Sequence, residues 1–168
     1  MHRLILPTLL LAASIPAAIA HPAVAPAAAP APAPLPDDAG STCGWVTSER
    51  PAVPKSQDIF RAEITRIDGA STPLHALNRH RADPGQRVLT VAERIEPQWL
   101  PSAAIAQIGK MKKHQQQRAY KTFTVDVAPG VNYAIGARLR RDRLDAQSIR
   151  DNEYWEPVVW DQRAERCP

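Results

Sequence analysis

Large aromatic side chains are scarce in this 168-residue chain, which holds four tryptophans, three tyrosines and two phenylalanines. All of them fall between Trp45 and Trp160, so only that part of the chain can build a sizeable core. Cysteine occurs twice, at Cys43 and Cys167. A C-x-x-C redox pair or a cysteine-rich zinc set is therefore absent. There is no G-x-S-x-G elbow, no H-E-x-x-H, no P-loop and no dinucleotide fingerprint, so the familiar nucleophile, zinc-hydrolase and nucleotide chemistries are not signalled. After Ala20 no stretch is apolar enough to span a bilayer. The formal charge of +4 is mild; it favours solubility and weak polyanion attraction and is not the composition of a nucleic-acid binder.

What is present begins with an export signal. His2 and Arg3 precede an apolar core of Leu4, Ile5, Leu6, Leu9, Leu10, Leu11 and Ile15, and Ala18-Ile19-Ala20 supplies a small-x-small cleavage site. Pro7 and Pro16 interrupt the run, which is shorter than the roughly 20 residues a spanning helix needs. Residues 1–20 are thus expected to be a removed leader, and the remainder a periplasmic or secreted protein with no transmembrane segment. Residues 21–36 nearly alternate alanine and proline, an extended, solvated spacer or an unselected low-complexity tail. Residues 37–168 are expected to form one domain. In an oxidising compartment Cys43 and Cys167 would form a disulfide tying its ends together.

Within the domain, Phe123, Val125 and Val127 alternate with Thr122, Thr124 and Asp126, the period of a half-buried strand. Ala128-Pro129-Gly130-Val131 suits a turn, and Tyr133, Ile135, Ala137 and Leu139 alternate beyond it; the expectation is a β-hairpin. Ile59 to Ile67 reads as a strand ending at Asp68-Gly69, and Asp83-Pro84-Gly85-Gln86 as a turn leading into a strand over Arg87 to Ile95. Trp45-Val46-Thr47 and Pro157 to Trp160 read as terminal strands lying close together, either paired or adjacent. The main helix is expected over Pro101 to Arg118, with Ile105, Ile108 and Met111 on one side. Leu74 to His80 and Leu144 to Arg150 are candidates for shorter helical turns. The fold class is mainly β: a single small β-sandwich with a short helical insertion, after a signal peptide and a Pro/Ala-rich linker.

Ile64-Thr65-Arg66-Ile67-Asp68-Gly69, followed by Pro84-Gly85-Gln86-Arg87-Val88-Leu89-Thr90-Val91, resembles the strand–turn–PG-x-x-x-L-x-V rhythm of PEGA-like domains, small prealbumin-like β-sandwiches of bacterial envelope proteins. The Val127-Ala128-Pro129-Gly130-Val131-Asn132-Tyr133 turn adds to the likeness, while the tetrad that names the family is absent before Arg87. The resemblance implies a non-catalytic envelope module and brings no catalytic residues.

Candidate chemistry is sparse. His75, His80 and Asp83 cluster in sequence, but Arg79 and Arg81 would repel a cation, and a zinc site needs converging ligands; they read as exposed loop residues, and neither metal nor cofactor is expected. Glu93 and Glu96 read as strand-edge charges, and Arg140 to Asp145 as a solvated mixed-charge surface. No acidic residue occurs from Pro97 through Val125. Lys110, Lys112, Lys113, Arg118 and Lys121 in that stretch form either a solvated face or a lobe able to attract an envelope polyanion. Of the C-terminal aromatics, Trp160 is expected in the core and Trp155 is left open. The function expected is an exported, non-enzymatic binding or structural module, its partner an envelope polyanion or another envelope protein. The alternative is an enzyme or enzyme inhibitor acting on an envelope polymer.

Overall fold

Residues 59–67 become a strand because apolar and polar side chains alternate from Phe60 to Thr65; in the computed structural model this is β2 (Ile59–Ile67). The structure describes residues 42–48, 53–73, 78–114 and 119–167, all within one compact unit. The expected leader (1–20), the spacer (21–36), His75 and Arg118 lie outside the described residues. After β2, Asp68 and Gly69 adopt φ of 50° and 81°, the left-handed pair of a tight hairpin turn. The chain returns as the two-residue β3 (Ala70–Ser71) against Arg66 and Ile67. β4 (Arg79–Ala82) follows, then β5 (Gly85–Arg94) opens where Gly85 takes φ 102°, a conformation that glycine adopts without strain. In β5, Leu89 and Val91 are fully buried and Val88 is 44% exposed, as the alternation requires.

Among the described residues the protein is mainly β, with two α-helices of which one is short. Its sandwich is built from one continuous sheet folded over the core. β7 (Val131–Leu139) is the central strand. One edge pairs along its length with β8 (Trp155–Ala164). The other edge is divided: residues 132–134 take β1 (Gly44–Thr47) in parallel, and residues 136–138 take β2 antiparallel. β4 pairs with the far side of β1; β5 pairs with β2, and β6 (Tyr120–Val127) with β5. β7 is buried everywhere except Arg138, the pattern of a strand covered on both faces. Phe60, Ile64, Leu89, Val91, Ile135, Ile149 and Trp155 are among the largest side chains in the core.

The expected hairpin does not form. Both strands exist, but β6 pairs with β5, and β7 with β1, β2 and β8. The cause is the chain at Cys43-Gly44, which enters the corner between the two strands. Gly130 donates its N–H to the Cys43 carbonyl at 2.9 Å. A Cβ on Gly44 would lie 2.8 Å from the Ala128 oxygen and closer still to Val127 Cγ1. Only glycine fits there, and β1 then occupies the β7 edge that a hairpin partner would need.

The terminal strands are neighbours in a different sense from the one expected. β1 and β8 flank β7 on opposite edges and do not pair with each other. Cys43 and Cys167 are disulfide-bonded just beyond them, with Cα atoms 6.0 Å apart across 124 positions, a normal disulfide span.

α1 (Ser102–His114) buries Ala104, Ile108 and Met111. These sit at i, i+4 and i+7: Ile108 and Met111 are buried as expected, whereas Ala104 takes the place expected for Ile105, which is 38% exposed. α1 packs on α2 (Ala146–Arg150). Asp145 caps α2, accepting from Gln147 N at 2.9 Å and Ser148 N at 3.0 Å. The helical turn expected over Leu74 to His80 is absent at its described end, where Arg79 and His80 open β4; residues 74–77 lie outside the described residues. Trp160, expected in the core, is only partly buried, and Trp155, for which no placement was expected, is fully buried. Trp155 lies opposite Leu139 on the inner face of the ladder, and its Nε1–H donates to Asn152 Oδ1 at 2.7 Å. Trp160 falls at the bulge opposite residues 134 and 135 and packs over Gly136.

Candidate functional site

The basic residues of the 110–121 stretch are divided by the fold. Lys110 and Lys113 are exposed on α1. Lys112 binds Glu93, its Nζ donating to Oε1 at 2.5 Å. Lys121 donates to the Trp155 carbonyl at 2.5 Å and sits 5.3 Å from the Trp155 ring centroid. Burial lowers the Lys121 ammonium below the usual lysine value, against the opposing pull of Glu156 and Glu153. Lys112 and Lys121 thus tie the helix and β6 to the rest of the domain. His80 is not an exposed loop residue: it is buried in β4 at 6% exposure. Among the described residues no group of three or more metal-ligand side chains gathers.

Glu93, expected on a strand edge, is buried at 4% exposure. It follows Leu89 and Val91 in phase on the inner face of β5. A buried carboxylate is tolerable only when its oxygens are bonded, and here three donors supply them. Oε1 accepts from Lys112 and from the Tyr154 hydroxyl at 3.0 Å, and Oε2 from Ile95 N at 2.6 Å. Burial, reinforced by the Glu93 charge, raises the Tyr154 hydroxyl well above its usual 10.0. Sheet, helix α1 and the segment entering β8 meet at this one carboxylate.

The outer face of the same strands carries a groove, and strand register explains it. Ser71, Arg66, Thr90 and Thr122 are successive cross-strand partners over β3, β2, β5 and β6. The neighbouring row is Glu63, Ala92 and Tyr120. In the second row the small Ala92 lies between the long Glu63 and Tyr120, and in the first Ser71, Thr90 and Thr122 are small beside Arg66, which leaves a trough. Between the rows β2 bulges at Thr65. The bulge is pinned because Thr65 O accepts from Thr72 N at 3.0 Å and Thr65 Oγ1 donates to Thr90 O at 3.1 Å.

Two depressions, of about 590 and about 200 Å³, share Thr65 and Tyr120 and so form one groove. It runs from Arg66 and Ser71 at the β3 end to Arg94 and Lys112 beside α1. Its floor is hydroxyl-rich, and Tyr120 is 38% exposed at its wall. Arg94 is ion-paired to Glu63 and Lys112 to Glu93. Arg66 has no acidic partner among the described residues. The arrangement can bind hydroxyl and anionic groups. Sequence reasoning passed over the groove because its members lie far apart in the chain; the one local signal was the alternating threonines of β6.

No protein-family model matches the chain, and no curated protein or solved structure matches it.

Proposed function

We propose that this chain is an exported, non-enzymatic module of the cell envelope or its surroundings, which binds a partner along the β2–β5–β6 groove. The leader-like N-terminus, the proline-alanine spacer and the PEGA-like rhythm support an extracytoplasmic address. The Cys43–Cys167 disulfide accords with it, since such bonds persist in oxidising compartments. The observation that carries binding over catalysis is the state of the carboxylates. Glu63 is engaged by Arg94, and Glu93 is saturated by three donors on the inner face. General acid–base work needs a carboxyl free to exchange a proton with a bound substrate.

The second reading, an enzyme acting on an envelope polymer, draws on one feature: Glu63, Glu93 and Lys112 border the smaller depression. The two readings separate by expressing the full chain from its own N-terminus in a bacterial host and recovering the mature protein. A leaderless, oxidised envelope-fraction protein that leaves isolated envelope polymers uncleaved is the expected result. A leader-bearing, reduced cytoplasmic product would overturn the address, and polymer cleavage abolished by Glu63→Gln would overturn the non-enzymatic role.

A further inference from the structure

We infer that the groove's ligand is an acidic oligosaccharide, with a sugar carboxylate on Arg66 and a sugar ring against Tyr120. This rests on the groove being the binding surface. β2 and β5, which form the floor, are each hydrogen-bonded to neighbours on both sides. An open edge remains at β6, the terminal strand of the sheet, and a peptide strand added there would lie beside the trough rather than in it. What the floor offers is side chains: the hydroxyls of Thr65, Ser71, Thr90 and Thr122. A hydroxyl can donate and accept, Thr65 here only accepting because its O–H is given to Thr90 O, and this matches the hydroxyl-covered surface of a glycan better than an acyl chain.

Tyr120 supplies an apolar wall with a polar tip, the kind of side chain that covers a sugar's C–H face while its hydroxyl stays wet. Arg66 gives the charge preference. It stands in the central row between Ser71 and Thr90, and its planar fork suits a carboxylate bidentately. With Arg94 and Lys112 already paired, Arg66 is the basic side chain in the groove whose charge a ligand can meet. Three strands side by side span about 10 Å, enough for a short oligosaccharide laid across them.

The test is calorimetric titration of the mature, oxidised protein with tetragalacturonic acid, with its fully methyl-esterified neutral counterpart, and with polyphosphate as a charge control. Expected is binding of the acid, weakened at least about tenfold by esterification and by Arg66→Ala, partly restored by Arg66→Lys, and lost in Tyr120→Ala but kept in Tyr120→Phe. These residues are exposed, and melting curves for each variant separate binding loss from unfolding. No binding of the acid, equal binding of the ester, or polyphosphate binding as tightly through Lys110 and Lys113 would each overturn the inference. Those results leave the export and module reading standing, because that reading fails on the leader and on polymer cleavage instead.

Discussion

Tyr154 donates its hydroxyl to the buried Glu93 carboxylate at 3.0 Å across 61 positions of sequence. The contact joins the segment before β8 to the end of β5 at the point where Lys112 brings in α1. Tyr154→Phe keeps the ring and removes the donor. Hydrogen bonds to charged groups contribute about 1.5–3 kcal/mol, so urea unfolding at neutral pH should show a loss in that range. Because the folded-state value of Tyr154 is raised, its contribution is full below the ordinary 10.0 and erodes as pH rises beyond it, where the unfolded chain ionises first. The wild type should lose stability above that pH more steeply than the phenylalanine variant. Parallel alkaline limbs would mean the hydroxyl is not held neutral.

The Cys43–Cys167 bond closes nearly the whole folded region. For a loop of that length the chain-entropy estimate is about 4–5 kcal/mol. Cys43→Ser with Cys167→Ser should lower unfolding free energy by an amount of that order, with the same sheet-dominated circular dichroism below the transition. Unchanged stability in the double variant would show that the β7 ladders hold the ends without the bond.

Gly44 is fitted into the corner between β6 and β7, 2.8 Å from the Ala128 oxygen when a Cβ is added. Backbone on that side cannot yield as a flexible side chain can. Gly44→Ala should cost about 1–3 kcal/mol, whereas Gly109→Ala, whose added Cβ meets nothing within 4 Å, should be neutral or stabilising in α1. Thermal melts of the two variants give the comparison directly, and equal shifts would contradict the wedge at the corner.

Asp68 closes the β2–β3 turn and reaches β5, accepting from Val88 N at 2.8 Å and from Arg87 at 3.0 Å. The Val88 amide first, and Arg87 second, hold its carboxyl below the ordinary 3.8. Its stabilisation is therefore complete above that value and is lost as pH falls below it toward the folded-state value. Asp68→Asn can still accept from the amide but does not titrate. Its urea midpoint should fall less than that of the wild type between about pH 6 and about pH 3; identical acid limbs would remove Asp68 as a contributor.

Much of the local structure was legible because it is written in short-range chemistry. The alternation from Phe60 to Thr65 and the Asp68-Gly69 turn give β2 and its return, and Pro84-Gly85 marks the start of β5. Pairing was not legible. Nothing near Val127 announces that a glycine distant in sequence will occupy the corner and that β6 will turn to β5 instead. Glu93 is the case in which the sequence carried more than was taken from it. It stands in phase with Leu89 and Val91, and a charge in a buried phase asks for partners. Those partners, Tyr154 and the helix lysine, come from elements whose packing only the folded sheet determines. The groove is less legible still, because Arg66, Thr90 and Thr122 become neighbours only through the register of three strands.

The claim at the centre is that the outer face of β2, β5 and β6 is where this protein meets its ligand. An amide chemical-shift map of the oxidised protein titrated with tetragalacturonic acid tests it most directly. The expected result is a contiguous set of shifts at Thr65, Arg66, Thr90, Tyr120 and Thr122 that saturates with ligand. Shifts confined to Lys110 and Lys113 on the helix, or none at all, would contradict it.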